Sequence, residues 1–355
     1  MKRVVFINYT LNFGGAERYI SHLANFMSKN NVQVFIILLD NSPIKYDLDE
    51  NIKIIQPSKD RPKSIWPKFF YFIYIVNYLR KSIKKINPSL ILNTAFPVFI
   101  LAIINRSLPI YVSIRCDPKN ISLIEGFELP NFVRKIFYKK ANGIIAQTIY
   151  AKDTISKQLN HKNVITIPNF LVESEEIQVD KKNEIVFVGR LVKSKGVDFL
   201  INAFSKLKKN NWQLIIVGDG PQKKVLESLV LNLNMNHKII FKGYQKEVSN
   251  YYKRAGIFAF PSLTEGFPNA LLEAMSYGLA CVSFDCVSGP SEIIQDGING
   301  FLVENGNELA LVEKLNLLIE DEVLRNKISQ EAIYVRKKYN IETIGKKYIN
   351  ILSKF

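Results

Sequence analysis

Short apolar, β-branched runs alternate with helix-length amphipathic segments along nearly the whole chain, and the alternation stops and restarts once. In the first half, apolar patterning predicts strands at 3–7, 32–39, 51–56, 90–93, 109–114, 142–147 and 163–167. Helices are expected between them at about 15–29, 69–86, 97–105, 130–140 and 149–159. Near Asn169 the pattern gives way to the acidic stretch Val172-Glu173-Ser174-Glu175-Glu176, running to Asp180-Lys181-Lys182-Asn183. It then resumes with strands at 184–188, 212–217, 238–241, 256–260, 280–284 and 300–303. Helices are predicted near 196–209, 221–234, 246–254, 269–278 and 289–295, and three helical segments close the chain from Asn307. Buried strands alternating with helices imply parallel sheets covered on both faces. A chain of 355 residues suits two α/β, Rossmann-like domains, 1–170 and 184–338, joined by a linker at 171–183. Ligands of such sheets bind at the carboxyl ends of the strands, so a cleft between the domains is the expected site.

Composition removes several function classes. No stretch reaches about 18 consecutive uncharged apolar residues, so no plain membrane-spanning helix is expected. The opening Met1-Lys2-Arg3-Val4-Val5-Phe6-Ile7 begins like a signal peptide but meets Asn8 and a glycine loop too early, and reads instead as a buried first strand. A cytoplasmic protein is expected. Cys116, Cys281 and Cys286 have no C-x-x-C spacing and no histidine near them in sequence, so neither a disulfide framework nor a zinc site is expected. The net charge of +16 is unevenly placed. Residues 1–170 hold 24 Lys/Arg against 10 Asp/Glu, whereas residues 171–355 hold 24 against 22. The first half therefore points to an anionic partner.

Four segments can carry chemistry. Asn12-Phe13-Gly14-Gly15-Ala16-Glu17-Arg18 follows the first strand and opens a helix, which suits either a phosphate contact at free N–H groups or a plain turn. Val188-Gly189-Arg190-Leu191-Val192-Lys193-Ser194-Lys195-Gly196 places Arg190 and Lys195 on a strand-end loop, an arrangement suited to a diphosphate or to simple solvation. Pro261-Ser262-Leu263-Thr264-Glu265-Gly266-Phe267-Pro268-Asn269-Ala270-Leu271-Leu272-Glu273-Ala274-Met275 is the most specific. Its two glutamates lie in a loop and about one turn into the following helix, where they could grip sugar hydroxyls, and Glu273 has apolar neighbours that imply a partner. Ser283-Phe284-Asp285-Cys286-Val287-Ser288-Gly289-Pro290-Ser291-Glu292-Ile293-Ile294 is a strand, a turn and a helix start, and leaves a phosphate-facing loop and a plain turn both open.

Taken in order, these segments resemble glycosyltransferase family 4, and within it the enzymes of bacterial capsule, lipopolysaccharide or lipid-linked oligosaccharide assembly. The resemblance runs from Gly14 to about Gly300, plus a closing helix. It implies a GT-B fold, retention of anomeric configuration and no metal or other cofactor. On this basis Gly14 and Gly15 would lie under the diphosphate, with Arg190 and Lys195 neutralising it as it leaves. Glu273 would bind the ribose. Glu265 and the backbone around Phe267, Pro268, Asn269, Ala270 and Leu271 would hold the sugar. Gly218, Gly220 and Tyr244 would frame the base, and residues 339–355 would return to the first domain. Fixed cations and a helix terminus can stabilise a departing nucleotide diphosphate without metal.

The chain departs from many relatives in lacking a histidine after the strand Tyr111-Val112-Ser113-Ile114. Arg115 and Asp117 stand there and are expected to line the site. The literal Asp47-Leu48-Asp49 reads as a solvated loop rather than a metal-binding pair. The aromatic run from Phe69 to Val76, followed by Arg80, Lys81, Lys84 and Lys85, has the character of an interfacial helix on anionic lipid. Arg134, Lys135, Lys139 and Lys140 add to it. The reading is a transferase of a hexose or N-acetylhexosamine from a nucleotide diphosphate sugar, most simply a uridine one, to a lipid-linked or polysaccharide acceptor at the inner face of the cell membrane. A nucleotide-sugar epimerase or hydrolase on the same fold would leave the interfacial segment unexplained. A basic nucleic-acid binder would not explain why the excess charge avoids the second half, so no nucleic-acid partner is expected.

Overall fold

The computed structural model describes residues 1–12, 14–58, 65–94, 108–115, 123–124, 127–128, 131–172, 181–209 and 211–355. The predicted helix 97–105, Cys116 and Asp117 lie outside the described residues. The chain divides into two units: Met1–Val172 with Ile341–Phe355, and Glu173–Asn340.

The first unit is built on strands β1 (Arg3–Asn8), β2 (Gln33–Leu38), β3 (Lys53–Ile55), β4 (Leu90–Asn93) and β5 (Ile110–Ile114). A short antiparallel pair, β6 (Leu123–Ile124) and β7 (Phe127–Glu128), stands apart from the sheet, which β8 (Gly143–Ala146) and β9 (Val164–Thr166) complete. The sheet is parallel with order β3-β2-β1-β4-β5-β8-β9, so the winding reverses between β1 and β4. Successive side chains alternate between its faces. Val5, Ile7, Ile91 and Val112 pack with Ile75, Leu79 and Ile83 of helix α2 (Ile65–Ile86). Val4, Phe6, Leu92 and Tyr111 pack with Ile20, Leu23 and Met27 of helix α1 (Gly15–Lys29). The closing helix Ile341–Ser353 joins this second face through Ile344, Tyr348 and Leu352. Gly345 permits its close approach, since a Cβ there would fall 2.4 Å from the Phe26 ring.

The second unit carries β10 (Lys182–Val188), β11 (Gln213–Val217), β12 (Ile239–Gly243), β13 (Ala255–Phe260), β14 (Ala280–Asp285) and β15 (Phe301–Glu304). These form a second parallel sheet ordered β12-β11-β10-β13-β14-β15, with its reversal between β10 and β13. Both units are thus Rossmann-like. The strands fall within two or three residues of their predicted places. One expectation is corrected: four helices close the chain, Glu308–Glu320, Glu322–Ala332, Val335–Lys338 and Ile341–Ser353, rather than three. Asp321 explains the first break, because it ends one helix and caps the next by accepting from Leu324 N at 2.8 Å. The β6–β7 pair was not foreseen, since two-residue strands carry no readable period.

The attachment of the closing helix centres on Tyr348, 2% exposed, whose hydroxyl lies 3.0 Å from that of Tyr19. Tyr348→Ala should cost about 3 kcal/mol in urea unfolding of the first unit. A loss under about 1 kcal/mol would show that this attachment is peripheral to the fold.

Candidate active site

The second sheet presents four loops at the carboxyl ends of β10, β11, β13 and β14, on either side of its switch point. They are tied to one another through the main chain. Gly189 N donates to Val217 O at 3.0 Å, Leu191 N to Asp219 O at 2.9 Å, and Leu263 N to Ser194 O at 2.8 Å. The Ser288 hydroxyl donates to Gly266 O at 3.3 Å, binding the last loop to the third. Two glycines are required by this closeness. Gly218 has φ +142°, and a Cβ there would sit 1.8 Å from the Gly189 carbonyl oxygen; Gly196 has φ +58°, with Pro261 O at 2.2 Å from the same position.

On this crest Lys195, in the 3-10 turn Lys193–Lys195, donates its ammonium to Glu265 in an ion pair. The two side chains are 22% and 10% exposed, so little water screens them. Loss of one partner from so desolvated a pair leaves an uncompensated charge, costing on the order of 3 kcal/mol. The ammonium also stands 5.6 Å from the centre of the Phe260 ring. Arg190 is exposed on the first loop. Glu273 lies half-buried in helix Asn269–Ser276, whose first residues follow the Glu265 loop directly. Asn269 is exposed at its start, whereas the side chains of Phe267 and Leu271 are buried, at 6% and 0% exposure, which leaves Leu271 only its main chain to offer a ligand. Gly218 and Gly220 flank Asp219 after β11, and Tyr244, 69% exposed, follows β12. The second-unit residues singled out from the sequence thus come from consecutive strand ends of one sheet.

One neighbour was not foreseen. Cys286 is buried after β14, and burial, with the Glu265 charge next in weight, pushes its thiol up to about 12. The sequence shows it only as a small buried hydrophobe after a strand. A thiol held protonated serves here as packing.

In the first unit, Gly14 and Gly15 are exposed at the start of α1, and a Cβ on Gly15 would meet nothing within 4 Å. The Tyr46 hydroxyl donates to Gly14 O at 2.8 Å and accepts from Gly14 N at 3.1 Å, a clamp with no sequence signal. Arg115 is engaged. Its guanidinium lies 3.7 Å above the Tyr19 ring and donates to Asn169 Oδ1 at 2.5 Å, which also accepts from Gln147 at 2.6 Å. Tyr19 stacks on Phe170 at 4.3 Å, so this arginine braces the turn where the chain leaves the first unit. Burial and the neighbouring Tyr348 raise the Tyr19 hydroxyl well above its ordinary value. Asp49 receives hydrogen bonds from Ser28 and Asn51, which occupies it as a loop tie. Among the described residues no group of three or more His, Cys, Asp or Glu could hold a metal ion.

A model described as Glycosyltransferase Family 4 matches residues 13–174, and one described as Glycosyl transferases group 1 matches residues 172–334. The amylovoran biosynthesis glycosyltransferase AmsD of Erwinia amylovora is 28% identical over 99% of both chains. An α-1,4-N-acetyl-D-galactosaminyltransferase of Campylobacter jejuni, named for a diNAcBac-PP-undecaprenol substrate, is 27% identical over 99% of both chains. The Anabaena protein HepE, solved with UDP, superposes with a TM-score of 0.77 at 17% identity over the whole of each chain, a likeness of fold.

The glycine-dependent closeness of the second-unit loops is testable. Gly218→Ala should lower stability by about 2 kcal/mol or more, because the methyl must displace the Gly189 carbonyl. Thermal unfolding of this variant indistinguishable from that of the parent chain would mean that the two loops can part freely.

Proposed function

We propose, because this chain belongs to glycosyltransferase family 4, that it transfers a hexose or N-acetylhexosamine from a UDP-sugar to a lipid-linked or surface-polysaccharide acceptor. The observation that carries this reading is the convergence of Lys195 and Glu265, with Arg190 and Glu273 on adjoining strand ends, inside the region matched by the group 1 model. Lys195 and Arg190 answer the charge of a diphosphate, as a compact ammonium and a planar fork respectively. Glu273 takes the ribose hydroxyls. Glu265 takes hydroxyls of the sugar, and Tyr244, Gly218 and Gly220 border the base. The exposed glycine start of α1, Gly14 and Gly15, suits a phosphate contact of its own.

In this mechanism the bond from the anomeric carbon to the phosphate oxygen breaks as the acceptor oxygen bonds to the same face. The acceptor proton passes to the departing phosphate, so retention needs no separate base. Charge that develops on the phosphate meets cations already held in place, with no reorganisation at the moment of reaction. Metal independence follows from that arrangement as part of the proposal. Arg115, held on the Tyr19 ring and Asn169, takes no chemical step of its own in this mechanism.

A polysaccharide or lipid-linked acceptor is supported by the names of the Erwinia and Campylobacter relatives. It is supported as well by helix α2. Its buried stripe, Ile75, Leu79, Ile83 and Ile86, faces the sheet, while Phe70, Phe72 and Ile73 are exposed at 68%, 37% and 43%. Arg80, Lys81, Lys84 and Lys85 are exposed farther along. No helix among the described residues is long and apolar enough to cross a membrane. An aromatic patch followed by a basic one suits peripheral binding to an anionic bilayer, and we place the enzyme on the inner face of the cell membrane on that ground.

Lys195→Ala and Glu273→Ala should each lower kcat/KM by about 100-fold or more while circular dichroism stays unchanged. The assay is release of nucleoside diphosphate from a donor panel, with and without lipid-linked acceptors, run with EDTA present. Full activity in either variant would remove the site, and dependence on added Mg²⁺ or Mn²⁺ would remove the metal-free mechanism. Replacing Arg80, Lys81, Lys84 and Lys85 by Ser should weaken binding to anionic liposomes in sedimentation by about 1,000-fold, since each of the four basic residues near such a surface contributes about 1 kcal/mol. Unchanged sedimentation would dissociate the enzyme from the membrane.

A further inference from the structure

The ammonium read above as a partner of the diphosphate is already neutralised by a carboxylate of the same site. Lys195 and Glu265 are paired across two loops whose main chains are tied by Leu263 N to Ser194 O at 2.8 Å and pressed together at Gly196 and Pro261. The pair thus spans two loops that are themselves fixed to each other. The buried Cys286 thiol has Glu265, Lys195 and Asp285 as its charged neighbours, so negative charge gathers around this ammonium. With Glu265 at 10% exposure, water is a poor substitute for the ammonium.

A ligand phosphate that draws the Lys195 ammonium away competes with Glu265 for it. A nucleoside diphosphate supplies an anion for the lysine and nothing for the carboxylate, which is left desolvated and unpartnered. An intact sugar nucleotide supplies both, because its sugar hydroxyls can donate to Glu265 while its phosphates take Lys195. We propose, on the donor-site reading above, that Glu265 determines specificity by withholding Lys195 from a bare nucleoside diphosphate and yielding it to the intact donor. The pair thereby weakens retention of the nucleotide product without weakening capture of the donor to the same degree. Discrimination of this kind is an energetic difference between two ligands, obtained by making the wrong one leave a polar group unmet.

The test is calorimetric titration of the full chain with UDP, inorganic pyrophosphate and uridine. Glu265→Gln should tighten UDP and pyrophosphate by about tenfold, the size of a typical coupling between contacting charged groups. Uridine, which has no phosphate, should bind with unchanged affinity. In the double variant Lys195→Ala with Glu265→Gln the gain should vanish, relative to Lys195→Ala alone. Unchanged or weaker UDP binding in Glu265→Gln, an equal gain for uridine, or a gain that persists without Lys195 would overturn the proposal while leaving the donor site in place. UDP and pyrophosphate affinities unaltered by Lys195→Ala alone would overturn the donor-site reading itself, and the proposal with it. Glu265→Ser removes the same charge with a smaller side chain and replaces the Gln variant if melting shows that one to be unfolded.

Discussion

The carbonyl oxygens of Gly189, Leu191 and Pro261 occupy space in which the Cβ atoms of Gly218, Gly220 and Gly196 would stand. Loops from neighbouring strands can approach this closely only where one partner has no side chain. That closeness converts a set of flexible connections into a rigid crest, and the position of every charged group on it follows. Lys195 and Glu265 meet because the segments carrying them are tied main chain to main chain, so their pairing requires little further loss of conformational freedom. A pair formed on long, independent side chains at a surface would contribute little. Here the ordering is a consequence of the sheet.

The first unit uses a different device at its own strand ends. Arg115, Asn169, Gln147 and Tyr19 form a connected polar group around aromatic rings, closed by the hydroxyl of Tyr348 from the far end of the sequence. Phe170 and Asn169 place the departure of the chain in this same group. The unit is thus sealed at the point where the chain leaves it by residues that are widely separated in sequence. A stacked arginine of this sort acts through planarity as much as charge, which a lysine would not reproduce.

Much of this was legible beforehand. Strands such as β1, β4 and β13 are largely apolar on both faces, and a buried parallel strand has no other way to read; their boundaries were accordingly close. The motif residues Arg190, Lys195, Glu265 and Glu273 were legible because each stands at a strand-to-helix transition, where periodicity changes and glycine or proline marks the turn. Other features were not. Tyr46 on Gly14 and Gln147 on Asn169 are polar contacts between segments that are distant in the chain, and no spacing rule connects them. The break between the first two helices of the C-terminal region is set by Asp321, whose capping role depends on the local backbone rather than on composition.

The amino-acid sequence determined two parallel α/β units, the break between them, the glycines at the turns and the family to which the chain belongs. It could do so because apolar period and turn chemistry are local properties, written in neighbouring residues. Only the tertiary structure decided that Glu265 neutralises Lys195, that Cys286 is buried within reach of their charges, and that Arg115 is spent on Tyr19 and Asn169. Those facts depend on which loops the strand order brings together, and on how little water remains once they meet.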